Sequence, residues 1–401
     1  MRCAWGKGGR SGGGPIVGMT AFRFFTAGES HGTCLIAMIE GLPAGLQVRR
    51  ENIDRDLSRR QRGYGRGERM TIETDHVEVL SGLRFGETIG SPITLRIENK
   101  DWVNWQEKMA SFGEPAGEPV TAARPGHADY PGIQKYNRQD IRDILERSSA
   151  RETAARVAAG AVAKEFLAAC GVEVLSRVTD IGGIKAAPDQ WPISEETASS
   201  ALNCFDLQAQ DAMKERIREA KETGDTLGGI FEVCVRGVPV GLGSHIQWDR
   251  RLDARLASAL MSIQAVKGVE VGEGFRYAAL PGSLAHDEMY VDETKHVYRR
   301  TNHAGGIEGG MSNGEEILLR AVMKPIPTLM KPLHTVDIAT GEEVSAARER
   351  SDVCAVPAAS VGGGAMAALI LAGEVREKFG GDSMEEVLTA LYVYQERLTG
   401  M

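Results

Sequence analysis

The feature that most constrains the fold of this 401-residue chain is an internal echo. Gly28-x-x-x-Gly32 followed by Gly41-Leu42-Pro43-x-Gly45-Leu46 returns as Gly224-x-x-x-Gly228 followed by Gly237-Val238-Pro239-x-Gly241-Leu242. Each copy flanks a run that reads as a strand. A matching helical pattern follows, Ile53-Asp54-x-x-Leu57 and Leu252-Asp253-x-x-Leu256, and Glu-Arg-Ser precedes a small-residue helix at 146–148 and 349–351. Collinear matches of this kind report repeated structural units. They predict two related strand-and-helix halves, about 22–180 and 224–380, with pseudo-twofold symmetry inside one domain over 19–401.

Short apolar and alternating runs predict strands at 22–27, 34–39, 77–81, 93–98, 172–178, 230–236 and 316–323. Helical spacing predicts helices at 51–61, 140–170, 206–223, 250–265, 364–379 and 383–398. The Gly- and Pro-rich stretches 100–137 and 268–315 are too long for ordinary connections, which points to function in them.

With 47 Lys plus Arg against 55 Asp plus Glu, the net charge of -8 argues against a nucleic-acid or acidic-membrane binder. The 42% apolar content excludes disorder as the main state. Cysteines at 3, 34, 170, 204, 234 and 354 form no Cys-x-x-Cys pair and no zinc spacing, so reduced, mostly buried thiols in a cytosol and no metal are expected. The charge-free run Cys354 to Gly373 contains Pro357, Ser360 and the Gly362-Gly363-Gly364 triplet, and reads as a buried loop and helix. Residues 1–18, with seven glycines and no signal-like apolar run, read as a misassigned start or a disordered arm.

Six segments are suited to chemistry. Ala27-Gly28-Glu29-Ser30-His31-Gly32 is a glycine-bracketed turn that can present His31 and Ser30; its plain alternative is a turn with a solvent-facing His. Residues 49–69 hold eight Arg and no Lys; the guanidinium fork suits small polyanions, and Arg60 and Arg66, nearest the glycines, are the candidates. The remaining arginines fit a solvated helix face. Arg124-Pro125-Gly126-His127-Ala128-Asp129-Tyr130 is a stiff turn around a proton-exchanging His. Arg147-Ser148-Ser149-Ala150-Arg151 could hold phosphate if a helix starts there. Arg300 to Gly314 carries paired glycines but neither a Rossmann nor a Walker pattern. Glu349-Arg350-Ser351-Asp352 places a carboxylate where the first Glu-Arg-Ser copy has Ser149; the plain reading of Asp352 is a cap on the following segment.

From Phe22 to about Tyr394 these segments together resemble the chorismate synthase family. The resemblance rests on AGESHG, RRQRGYGRGERM, RPGHADY, RSSARETAARVAAGA, SIQAVKGVEVG, AHDEMY, GGIEGGMSNG, MKPIPT and RSDVCAVPAA in this order. It implies an α+β core of helices sandwiched between antiparallel sheets, and a cytoplasmic homotetramer. The implied reaction is the trans-1,4-elimination of phosphate from 5-enolpyruvylshikimate 3-phosphate to give chorismate, with reduced FMN and no net redox change. FMN is then expected at Arg147, Ser148, Ser149, Gln264, Ala265, Gly309, Lys324, Pro325, Ile326, Pro327, Thr328 and Arg350. Arg60 and Arg66 are expected on substrate anions, or on NADP in members that reduce their own flavin. His31 is expected to protonate the departing phosphate, His127 to adjust the protonation of the reduced flavin, and Asp352 to be the acid beside it. His303 stands where family members commonly have Arg. A flavoprotein oxidoreductase is the rival enzyme. A nucleic-acid binder using residues 49–69 is the rival binder, although Tyr64 is its single aromatic.

Overall fold

The computed structural model of the protein describes residues 22–66, 74–188, 200–293, 297–346 and 352–399. The arm at 1–18 and Arg350 lie outside the described residues.

Period-two alternation builds the first sheet. Strands β1 (Arg23–Ala27), β2 (Cys34–Glu40), β3 (Val77–Ser81) and β4 (Ile93–Glu98) pair antiparallel in the order β1-β2-β4-β3. Leu35, Ala37 and Ile39 of β2 and Ile93, Leu95 and Ile97 of β4 are buried, and the register sets Leu35 opposite Ile97. Alternate side chains therefore make one apolar face.

The second sheet holds β5 (Glu173–Ile181), β6 (Ile184–Lys185), β7 (Gly229–Arg236), β8 (Val266–Val271) and β9 (Ile317–Met323), antiparallel in the order β8-β9-β7-β5-β6. Strand β8 falls where no strand is predicted. Lys267, Gly268 and Glu270 break its apolar run, and its register slips between Val266 and Gly268. Glu173–Ile181 pairs with β7 within this sheet.

The helices are α1 (Arg50–Gln61), α2 (Asp129–Tyr136), α3 (Arg142–Ser148), α4 (Thr153–Ala169), α5 (Leu207–Glu222), α6 (Leu252–Met261), α7 (Val356–Phe379) and α8 (Met384–Thr399), a single turn at Gly282–Ala285 aside. Helix α4 packs on β1, β2 and β4, α7 packs on β5 and β7, and the two helices pack on each other between the sheets. The architecture is mixed helix and antiparallel sheet, as expected. Among the described residues α7 is the one helix long and apolar enough to cross a membrane, but 83% of its most apolar window is buried inside the protein.

Two departures from the sequence expectation have packing reasons. The Gly362-Gly363-Gly364 triplet is helical, because α7 crosses β7 so closely that a Cβ on Gly363 would sit 2.4 Å from the Phe231 ring. The expected helix 140–170 is broken: Ser149 adopts extended backbone (φ -63°, ψ 142°) and its hydroxyl accepts from Arg151 N, leaving one 3-10 turn before α4 begins. That break leaves Arg147 and Ser148 in the last turn of α3 and Ser149 just beyond it.

The α4–α7 contact is made of small residues. A Cβ on Gly160 would lie 2.4 Å from Ala365 Cβ and 2.6 Å from Ala365 Cα. Gly160→Ala should gain about 1 kcal/mol in helix propensity. Pushing two buried helices apart should cost about 1–3 kcal/mol or more. The expected result is a lower urea midpoint at unchanged m-value; a midpoint above wild type would show that the crossing is not this tight.

Candidate active site

His31 leaves β1 through a turn whose Gly28 has φ +101°, and a Cβ there would meet Cys34 O at 2.3 Å. Asn99 fixes this turn by donating to Glu29 O (3.0 Å) and Gly32 O (2.8 Å), and Arg151 Nε in turn donates to Asn99 Oδ1 (3.0 Å). The His31 ring stacks on Trp105 with centroids 3.9 Å apart, and its Nδ1 lies 2.9 Å from Glu146 Oε1. Burial raises the Glu146 carboxyl, but hydrogen bonds and charge from His31, with Arg142 beyond, hold it below the usual carboxylate range.

Glu146 stands one residue ahead of Arg147, which donates to Thr26 O (2.8 Å), Thr26 Oγ1 (2.7 Å) and Gly28 O (3.1 Å). Ser148 hydrogen-bonds back to Ile144 O, while Ser149 donates to Ser30 Oγ at 3.2 Å. Glu152 collects Thr26 Oγ1, Arg156 Nε and Gln264 Nε2, which draws Gln264 to the same place. Ala265, at the uncommon φ of +67°, accepts Lys324 N at 3.0 Å. Lys324 Nζ then reaches Gly126 O at 2.6 Å, one residue from His127. Hydrogen bonds and adjoining residues thus link His31, Arg147–Ser149, Gln264–Ala265, Lys324 and the His127 turn. Ile326 O accepts from Thr226 Oγ1 (2.7 Å), Pro327 lies 3.7 Å from where a Gly126 Cβ would be, and Thr328 is buried.

His127 is held by Asp129, whose Oδ1 is 2.5 Å from Nδ1, and Arg124 braces the same carboxylate at 2.8 Å. Burial pushes the Asp129 carboxyl up, but His127 and Arg124 pull it well below the usual range. Its stabilisation is therefore in place above the ordinary carboxylate pKa of about 4, and fades as pH falls through the lowered value.

The arginine pair behaves unequally. Arg60 is 4% exposed, donating to Thr153 Oγ1 (2.8 Å) and Ala150 O (2.9 Å), with Asp75 3.7 Å from Nη1. Burial brings it down to about 9, Asp75 opposes, and Arg151 and Arg66 add to the fall, so it stays cationic at neutral pH. Arg66 Nη1 pairs with Asp352 Oδ2 at 2.8 Å, joining two candidates that sequence places 286 residues apart (352 minus 66). Asp352 does not cap α7, whose N-cap is Ala355.

Gly310 O accepts Leu252 N at the start of α6. His303 is used in its own loop, N to Asp287 Oδ1 (2.8 Å) and Nδ1 to Glu273 Oε1 (3.2 Å). Sequence reasoning missed Trp105, Glu146, Asp129 and Glu152 as site residues, since their partners are remote or their motif reads as a helix start. The cysteines are free wherever described, and burial raises the Cys170 and Cys354 thiols to about 11.

Two buried polar atoms without hydrogen-bond partners test whether a polar ligand fits here: Arg60 Nη1 and Gln264 Oε1. Such atoms are rare in folded proteins and are satisfied by water or ligand. An anion would satisfy the Arg60 N–H, and a ligand N–H would satisfy the Gln264 oxygen.

Residues 22–375 match the family model described as chorismate synthase. A Geobacter sulfurreducens protein named chorismate synthase is 58% identical over 377 residues, covering 91% of this chain and 96% of its own. One from Desulforamulus reducens is 57% identical over 380 residues, with 93% and 98% covered. A solved structure titled as a crystal structure of chorismate synthase is 43% identical with a TM-score of 0.76, covering 95% of this chain and 99% of that one. With its fold, its linked histidine turns and these relatives taken together, the chain belongs to the chorismate synthase family of lyases.

Proposed function

We propose that the protein converts 5-enolpyruvylshikimate 3-phosphate to chorismate by trans-1,4-elimination, using reduced FMN held by its own residues. What supports this most is the path of hydrogen bonds and adjoining residues from His31 through Arg147–Ser149 and Gln264 to Lys324 and His127, with Gln264 Oε1 buried and unpartnered beside it. FMN would be held at Arg147, Ser148, Ser149, Gln264, Ala265 and Lys324–Thr328, with Gly309 and Arg350 also assigned to it. When bound it supplies an electron-rich ring for an elimination with no net redox change.

The residues do the rest. His31 gives a proton to the departing phosphate, and its anchor on Glu146 keeps the imidazole aimed. His127, fixed by Asp129 and Arg124, would set the protonation of the bound reduced flavin. The Asp352 carboxylate ends with the substrate proton, and Arg60 and Arg66 neutralise substrate anions in a site sparing of water, where charge counts for more. NADP at the same arginines is the finer alternative. The enzyme is further proposed to be a cytoplasmic homotetramer that binds neither nucleic acid nor membrane. The matching strand orders β1-β2-β4-β3 and β5-β7-β9-β8 support two related halves within the single domain.

Reduced FMN should bind stoichiometrically under anaerobic titration, and more tightly when substrate is present; absence of flavin binding would refute the cofactor assignment. Arg66→Lys keeps the charge but loses the fork. Substrate affinity should weaken by about 1.5–3 kcal/mol, the scale of one charge-assisted hydrogen bond. Unchanged affinity in a binding titration would return Arg66 to a purely structural partner of Asp352.

A further inference from the structure

One carboxylate takes two donors from the same residue. His31 backbone N–H donates to Glu146 Oε2 at 2.8 Å, and ring Nδ1 lies 2.9 and 3.0 Å from its two oxygens. Glu146 is 3% exposed and belongs to α3, while its partner sits 115 residues earlier on the glycine turn. Other described groups also stand near the ring. Arg142 of α3 lies 3.4 Å from Glu146 Oε1 and over the Trp105 ring at 5.1 Å, and Lys108 approaches that ring at 5.6 Å. Trp105 covers the imidazole face at an interplanar angle of 27°. Ser30, next to His31, hydrogen-bonds Ser149 and donates its backbone N–H to Glu146 O.

A carboxylate held ionised only accepts. The Nδ1 facing it therefore carries a proton, and Nε2 is the nitrogen left to act.

We propose that Glu146 is the positioning residue of His31: it fixes the Nδ1–H tautomer and supports the imidazolium, while the Trp105 face stops the ring from turning. This rests on the reading of His31 as the acid for the departing phosphate. In that step the C–O bond breaks with its electron pair passing to the phosphate oxygen, and the Nε2 proton moves to a phosphate oxygen. A neutral imidazole remains, still donating from Nδ1 to Glu146, and it regains its Nε2 proton from water.

The test compares Glu146→Gln, His31→Asn and the double variant, with reduced FMN and 5-enolpyruvylshikimate 3-phosphate. Glu146→Gln should lower kcat about 10- to 100-fold while KM and FMN affinity stay within about threefold. The alkaline limb of its pH–kcat profile should lie at lower pH than in wild type. In the His31→Asn background the same change should add less than about twofold, because a residue that acts through another has nothing left to support. Multiplying losses, or a wild-type kcat and pH profile in Glu146→Gln beside a slow His31→Asn, overturn the inference alone. A wild-type rate in His31→Asn overturns the acid assignment and the inference with it. Should Glu146→Gln not fold, nitrogen NMR of His31 in the wild-type holoenzyme across pH decides: loss of the Nε2 proton to leave neutral Nδ1–H is expected, and neutral Nε2–H contradicts it.

Discussion

Asp352→Asn is expected to bind reduced FMN and substrate within a few-fold of wild type while turnover falls about 100-fold or more, the usual scale for a positioned acid–base group. The amide keeps the shape but cannot hold the substrate proton at neutral pH. Helix α7 should be untouched, since Ala355 and not Asp352 is its N-cap. The substitution also removes the charge from the 2.8 Å Arg66–Asp352 ion pair while keeping an oxygen that can accept from Arg66 Nη1. Binding should thus hold as catalysis collapses. Stopped-flow turnover beside an equilibrium substrate titration separates the two; near-normal turnover would remove Asp352 from the proton path.

His31→Asn should be at least as damaging to catalysis, again by about 100-fold or more. Asn can still donate a hydrogen bond to the buried Glu146 carboxylate, so the variant avoids the cost of about 3–5 kcal/mol that removing one partner of a buried charge pair can bring. Unfolding should therefore be close to wild type. Single-turnover phosphate release with substrate already bound reports the step itself, and a normal release rate would assign the proton elsewhere.

Much of the fold and site is legible in the sequence because it is local. Alternation in 34–39 and 93–98 places two central strands, and the spacing of Gly28 and Gly32 around His31 marks its turn. What escapes is non-local. Glu146 and Trp105 become visible only when residues 115 and 74 positions from His31 fold against it (146 minus 31, 105 minus 31). The Ala-rich helix hides its break, because the hydroxyl of one residue, Ser149, outcompetes continuation of the helix. The glycine triplet reads as a breaker because propensity knows nothing of Phe231 lying across it. The depth of Arg60 is unreadable in the sequence: Thr153 and Ala150, which hold its fork, lie 93 and 90 residues away.

The proposed elimination consumes no reducing equivalents. Anaerobic incubation of the full chain with reduced FMN and excess 5-enolpyruvylshikimate 3-phosphate, following phosphate, chorismate and flavin absorbance together, tests it directly. One chorismate per phosphate is expected through many turnovers, with the flavin still reduced at the end. Phosphate without chorismate, or one flavin or nicotinamide oxidised per product formed, would contradict it.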